Sequence, residues 1–479
     1  MPKRTRTTRV VARLLQKQTV TQTARATRAV LRLLTYKPTA KETRTTRVVQ
    51  RMLQRVYKSP PHVALAPDIP SNNANFFPHN WSSRVNVETA FFTDITESAG
   101  SVAEERRSLR SSPGRVITAQ FTALNKQDSA LLINACLRLA DQMNVFPLYS
   151  DVATVTAESS GHVLWCDPRF KRFFPLQLVL IAQWSGSRLV AYAYEYVSTV
   201  LEDKLIISEL AQTVPVGAKV YPMMSIEPRL EITPTLLTDD KITVTVQALE
   251  AIGTHTLPPV ADDDPVELDY LQWHEDYPVF KFSVDWTESL QVKVLRPGQQ
   301  YGQGRDQIVD LAGTRPKFGF EFKHTFLNRS DFWDYLRFAE SRRGRLRPFW
   351  VINPQTYFTV LNLLGNELTV RPVGGSDTDW TDFYTHVALV KTDGTVFISE
   401  LVSIDTETPS VLKLIMADAA GFDEDSVRRA TFAHLCRYQS DALQESWDTD
   451  GVVQVSSNIV EVLQEVDAEI DGDFPDPIA

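Results

Sequence analysis

The chain of 479 residues is 43% hydrophobic and 23% charged, which suits two or three globular domains and excludes an intrinsically disordered protein. No apolar run approaches the roughly 20 residues of a membrane helix, and no apolar segment follows the positive N-terminus, so neither a membrane span nor a secretory leader is predicted. The net charge of −9 is unevenly placed: residues 1–60 carry 16 Lys/Arg and a single acid, Glu42, leaving 34 basic and 58 acidic residues in the rest. A basic arm on an acidic body points to partners rather than to a fold.

The arm, residues 1–58, repeats every 19 residues. Arg6-Thr7-Thr8-Arg9-Val10-Val11-Ala12-Arg13-Leu14-Leu15 aligns without gaps to Arg25–Leu34 and to Arg44–Leu53. On a helix at about 100° per residue, Arg6, Arg9 and Arg13 fall within about 60° of one another, and Val10, Val11, Leu14 and Leu15 cover about 140° elsewhere. Three short amphipathic helices are predicted. Helices of two or three turns are marginal alone in water, so each apolar stripe must dock on something. The candidate interaction residues are Arg6, Arg9, Arg13 and Leu15, then Arg25, Arg28, Arg32 and Leu34, then Arg44, Arg47, Arg51 and Leu53. The leucines suit an apolar groove and the arginines an acidic rim, such as the body of a neighbouring copy. Nucleic acid is the alternative partner, since clustered arginine pairs with phosphate. Against it, Tyr36 is the one aromatic before Tyr57, which leaves base stacking poorly supplied.

A linker at 59–75, marked by Pro60-Pro61, leads into the body. The body reads as two copies of one domain, 76–250 and 271–465, joined by 251–270 with Pro258-Pro259 and Asp262-Asp263-Asp264-Pro265, and followed by an acidic tail at 466–479. Four blocks recur in order. Asp94-Ile95-Thr96-Glu97-Ser98 resembles Asp285-Trp286-Thr287-Glu288-Ser289, each preceded by a tryptophan, Trp81 or Trp273. The alternating runs Arg115–Phe121 and Lys317–Phe322 each precede a helix, predicted near 127–142 and 330–341, with Asp128, Ser129 and Ser330 as N-cap types. The helices give way to Pro147-Leu148-Tyr149 and Pro348-Phe349-Trp350. Leu237–Val244 aligns with Asp448–Val455, and the same offset pairs Glu250 with Glu461. Aromatic and β-branched runs such as Leu189–Tyr194 and Lys241–Val246 fill the remainder with strands. The expected fold is α+β but mainly β: two duplicated β-sandwich domains, each with a flanking helix, behind short N-terminal helical repeats.

The three cysteines, Cys136, Cys166 and Cys436, form no C-x-x-C pair and read as small buried hydrophobes. No two of the eight histidines have the i, i+4 spacing of a helical metal pair. His162 and Cys166 lie four apart but lack a second ligand pair. Gly302-Gln303-Gly304 lacks the third glycine of a dinucleotide loop and reads as a turn, and Asp262–Asp264 reads as solvated linker. The sequence therefore predicts no catalytic, cofactor or metal residues and no enzyme. A glycan hydrolase on a β scaffold finds no carboxylate constellation to support it.

Two stretches carry a resemblance. Phe92–Gly100 followed by Glu105-Arg106-Arg107-Ser108-Leu109-Arg110 resembles the N-terminal signature of tailed-phage minor tail proteins of the distal-tail and baseplate-hub kind. Arg437–Leu443 with Trp447–Val452 is similar to runs that close such domains, and the arm repeats are similar to those of other phage structural proteins. The resemblance implies a tail-tube-like β-sandwich that assembles in trimeric or hexameric rings with itself and with other tail proteins. It implies a virion protein made in the host cytoplasm, with no catalytic residue to carry over. The second copy departs from it, having Gly302–Gln307 where the Glu105–Arg110 stretch would stand, and the arm is longer than a hub domain needs. A nucleic-acid-binding head or packaging protein is the alternative.

Overall fold

The computed structural model describes Trp81 and residues 84–465, apart from 98–102, 110–112, 143–144, 187, 228–230, 239, 252–271, 283, 288–289, 296–297, 302–306, 311–316, 374–383 and 409. The arm with all twelve of its interaction residues, the 59–75 linker, the 251–270 linker beyond Ala251, the 466–479 tail, Gly302–Gly304 and Asp262–Asp264 lie outside the described residues.

The first span opens with β1 (Val85–Ala90), a hairpin of β2 (Thr93–Glu97) and β3 (Ala103–Ser108), β4 (Gly114–Ala123) and helix α1 (Lys126–Gln142). Next come β5 (Val145–Pro147), β6 (Ala153–Thr154), β7 (Ser159–Trp165), β8 (Leu178–Ser185) and β9 (Arg188–Val200). It ends with β10 (Lys204–Val214), β11 (Lys219–Ser225), β12 (Glu231–Leu236) and β13 (Ile242–Leu249). The second span has β14 (Trp273–His274), β15 (Tyr277–Phe280), β16 (Gln291–Leu295), a hairpin of β17 (Gly298–Tyr301) and β18 (Gln307–Asp310), β19 (Lys317–Phe326) and helix α2 (Arg329–Arg342). After these run β20 (Phe349–Ile352), β21 (Phe358–Leu364), β22 (Glu367–Pro372), β23 (His386–Lys391) and β24 (Val396–Thr408). The last are β25 (Val411–Met416), β26 (Val427–Tyr438), β27 (Ala442–Trp447), β28 (Val453–Glu461) and β29 (Gln464–Glu465). The fold is mainly β with one long helix in each span, as the strand-forming runs predict.

Alternation decides which face each strand buries. In β4, Ile117, Ala119 and Phe121 point inward, while Thr118, Gln120 and Thr122 stay half-exposed. In β19, Phe320, Phe322, His324 and Phe326 are buried, and His324 and Phe326 meet Phe332 and Tyr335 of α2 through ring contacts. Each aromatic so placed contributes about 2–3 kcal/mol of burial.

The pairings of the two spans follow one order. In the first, β12 pairs β13, β13 pairs β4 and β4 pairs β1. In the second, β27 pairs β28, β28 pairs β19 and β19 pairs β16. Both helices start in the same way: Asn125 and Asn328 each accept from the N–H three residues on, at 2.9 Å, and each donates to that residue's carboxylate at 2.7 Å. The caps are therefore Asn125 and Asn328, upstream of the Asp128, Ser129 and Ser330 expected. The turns Leu237–Lys241 and Asp448–Val452 close by equivalent backbone bonds of 2.9 and 3.0 Å.

Two expectations are corrected. The spans do not stand as separate sandwiches. β1 pairs β27, so the two four-stranded units merge into one eight-stranded antiparallel sheet, β12-β13-β4-β1-β27-β28-β19-β16. Six further strands of the second span close into a barrel, β21-β22-β25-β24-β23-β26, completed by Phe358 opposite Ala430. In the first span β7-β10-β9-β8-β11-β6 follow the same order, and a bridge between Val155 and Cys166 joins the two ends. Bulges in β10 and β24 bend the long strands enough to curl the layer, which alternation alone does not reveal. The Asp94 and Asp285 blocks also fail to correspond: Asp94 lies in β2, after β1, whereas Asp285–Thr287 is a turn before β16. The cysteines are free and buried, as expected.

Candidate functional site

Among the described residues the sheet has two free ends: β12 pairs only β13 and β16 pairs only β19. An unpaired strand edge presents a row of donors and acceptors that another chain can extend. Both end strands also carry exposed apolar side chains, with Leu236 at 70% and Val294 at 64% exposure. Lys293 and Pro234 interrupt them, a charge and a missing donor of the kind that limits indiscriminate pairing. The sheet face turned away from the core is polar. A groove of about 480 Å³ runs over it, lined by Asn86, Thr118, Gln247, Gln444, Ser446 and Ser456 among others.

The β1–β27 joint shows how this sheet accepts an added unit. Six residue pairs run from Val85 opposite Trp447 to Ala90 opposite Ala442. Asp441 receives the Thr93 N–H at 2.8 Å and the Arg345 N–H at 2.9 Å, and Arg345 Nη2 donates to the Thr93 carbonyl at 2.7 Å. Arg106 reaches across to the Leu346 carbonyl at 3.0 Å.

Behind the joint lies a buried charge cluster. Arg172 donates to Asp151 at 3.0 Å and to Glu445 at 2.7 Å, all three nearly inaccessible to solvent. Arg329 pairs with Asp151 at 3.3 Å and lies over the Trp447 ring at 4.6 Å, while the Trp447 indole donates to Glu445 at 2.9 Å. Burial alone would raise the Asp151 carboxyl, but Arg172 and Arg329 pull it down to about 2. For Arg172, burial opposes the charge, yet Glu445 and Asp151 outweigh it and hold the pKa above the ordinary arginine value. Glu340 has the opposite fate. Burial pushes its carboxyl up to about 8 despite Arg172 and Arg115, and its Oε1 is buried without a hydrogen-bond partner. Asp151 and Arg172 come from the first span, and Arg329, Glu340 and Glu445 from the second. The cluster therefore fastens the two spans to each other through Arg172–Glu445 and Arg329–Asp151.

A second polar group joins the β14–β15 hairpin to β23. His274 and Glu275, at the β14–β15 turn, meet His386 at the start of β23, with one ligand atom from each within 4.8 Å of the others. Burial lowers the His274 pKa against the opposing pull of Glu275 and Asp418. The i, i+4 rule finds no such group, because His274 and His386 are distant in sequence and meet only through the sheet. His162 is exposed and bonds the Ser208 carbonyl, whereas Cys166 packs in the first span's barrel core. No protein-family model matches the chain, and no curated protein is significantly similar to it in sequence.

Proposed function

We propose that this chain is a non-enzymatic structural subunit of a tailed-phage virion tail, and that 76–250 and 271–465 are copies of one domain. In this reading the chain assembles with itself in a ring. The observation that carries it is the head-to-tail sheet. The order β12-β13-β4-β1 is followed by β27-β28-β19-β16, so the last strand of one unit joins the first strand of the next. A joint of this kind is heterologous, and repeated between chains it generates a closed ring or a filament. The free β16 edge of one chain would meet the free β12 edge of another and extend the β1–β27 pattern. Three chains would give a pseudo-sixfold ring of six units. The polar face with Asn86, Gln247 and Gln444 would line its passage. The basic arm would cross to a neighbour's acidic body and tie the ring together.

Sedimentation of the full 54.1 kDa chain tests this. A mass of three or six chains is expected, with V292K/V294K in β16 reducing it to one chain of unchanged circular dichroism. A monomer at all concentrations, or a variant that assembles equally well, overturns the ring. Deleting residues 1–58 should leave a folded body that incorporates poorly into particles, and wild-type occupancy would refute the tether. One observation favours a second reading, nucleic-acid binding: the arm's 16 basic residues. A steep loss of duplex-DNA affinity with salt for the 1–60 peptide would support it.

A further inference from the structure

We propose that His274, Glu275 and His386 form a binding site for a divalent transition metal of the zinc class, which clamps the β14–β15 hairpin to the second span's barrel. The inference is independent of the assembly reading.

The ligand atoms converge from two elements. His274 Nε2 lies 3.8 Å and His386 Nε2 3.9 Å from Glu275 Oε1. Tetrahedral zinc with bonds of about 2.0–2.2 Å sets its ligand atoms about 3.3 Å apart, so the two imidazole–carboxylate separations must close by about half an ångström, and the imidazole pair, within 4.8 Å, by at most about 1.5 Å. The parts that must stay still are held. Both imidazoles are largely covered, at 15% and 14% side-chain exposure, while the Glu275 side chain, 55% exposed, is the one able to swing. The His274 carbonyl accepts from the Trp350 indole at 3.2 Å. The Trp350 ring lies 5.2 Å from the His274 ring and 4.4 Å from the His386 ring. His386 Nδ1 sits 2.9 Å from the Thr385 hydroxyl, an outer contact that orients the ring and turns Nε2 toward Glu275. Val396 N–H donates to the Gln272 side chain at 2.9 Å, holding the start of the hairpin in place.

Two features are poorly explained by an ion pair alone. His274 Nε2 is buried and has no hydrogen-bond partner, and its separation from the carboxylate is too long for one. Glu275 holds a left-handed backbone at φ 51°, a conformation that costs a side-chain-bearing residue energy and that glycine would adopt freely. The two-residue β14–β15 turn, with His274 opposite Tyr277, calls for a positive φ at this place, and a carboxylate rather than glycine fills it. Two imidazoles and one carboxylate, without thiolate, suit zinc, cobalt, nickel or copper(II) better than the hard cations. Three protein ligands leave one position for water.

The test titrates chelator-treated full-length protein with Zn²⁺ by calorimetry at neutral pH and with Co²⁺ by visible absorption. One equivalent should bind with a Kd of about 1 μM or tighter, and Co²⁺ should give a strong tetrahedral spectrum. His386→Ala and His274→Ala should each weaken binding at least about tenfold, whereas His162→Ala should leave it unchanged. Glu275→Gly separates ligand loss from misfolding: it should weaken binding while raising the melting temperature of the metal-free protein. Absence of saturable Zn²⁺ binding, or titrations of these three ligand variants that match wild type, overturns the site.

Discussion

Replacing Glu340 by glutamine should make the protein more stable in mild base and flatten its response to pH. Burial holds this carboxyl's pKa at about 8 in the fold, against a reference of 4.5. The folded state therefore binds the proton more tightly than the unfolded chain. The resulting stability is fully present below about 4.5 and is lost as pH rises through 8. The shift of roughly 3.5 units, at about 1.36 kcal/mol each, sets an upper bound near 5 kcal/mol. Relaxation around the partly exposed side chain should bring the measured value to about 2–3 kcal/mol. Arg172 and Arg115 face the carboxyl and favour its ionised form, while Glu445 and Glu250 oppose it. Urea unfolding followed by tryptophan fluorescence at pH 5 and pH 8.5 measures the effect. The difference between wild type and Glu340→Gln isolates Glu340 from other groups, including His274, whose lowered pKa works in the opposite sense. A difference that does not change between the two pH values would refute the reasoning.

Three further perturbations bear on the joint and the caps. Arg172→Met leaves the Asp151 and Glu445 carboxylates buried without their shared guanidinium and should cost about 3–5 kcal/mol, read as a lower urea midpoint. Gly344→Ala places a Cβ 2.6 Å from Asp441 Oδ1 at a φ of 64°, whereas Gly365→Ala, at a φ of 61°, meets open space. The first should lower the melting temperature more than the second, whose cost is about 1 kcal/mol. Asn125→Ala and Asn328→Ala remove equivalent caps and should each cost about 1 kcal/mol in the same unfolding assay.

Elements with local patterns were legible in the sequence. The alternation from Arg115 and from Lys317 marks β4 and β19, and the N-cap residue types after them, with the prolines that follow, mark both helices within a residue or two. The Leu237–Val244 and Asp448–Val455 blocks fall on equivalent hairpin turns because closing such a turn restricts residue type. The Asp94 and Asp285 blocks misled, since five residues rich in turn formers recur without a shared place in the fold. The asparagine caps were missed because nearby aspartate and serine satisfy the same rule. The β1–β27 joint and the His274–His386 group left no trace in the sequence, because their partners are brought together only by tertiary pairing and share no period.

The β1–β27 pairing also sets a timetable for synthesis. Ala90 ends β1 and Ala442 begins β27, so the ribosome must add some 350 residues before β1 acquires its outer partner. At about 5–20 residues per second this interval lasts roughly 20–70 s. For that time the first span can close its own ladder, β12 through β1, yet β1 remains an open strand edge on a nascent chain. Neighbouring chains on one message carry the same edge, and by the repeat of the pairings their β12 edges are its natural mispartners. Chain elongation and chaperone supply, more than the stability of the finished fold, should therefore set the yield of correctly joined protein.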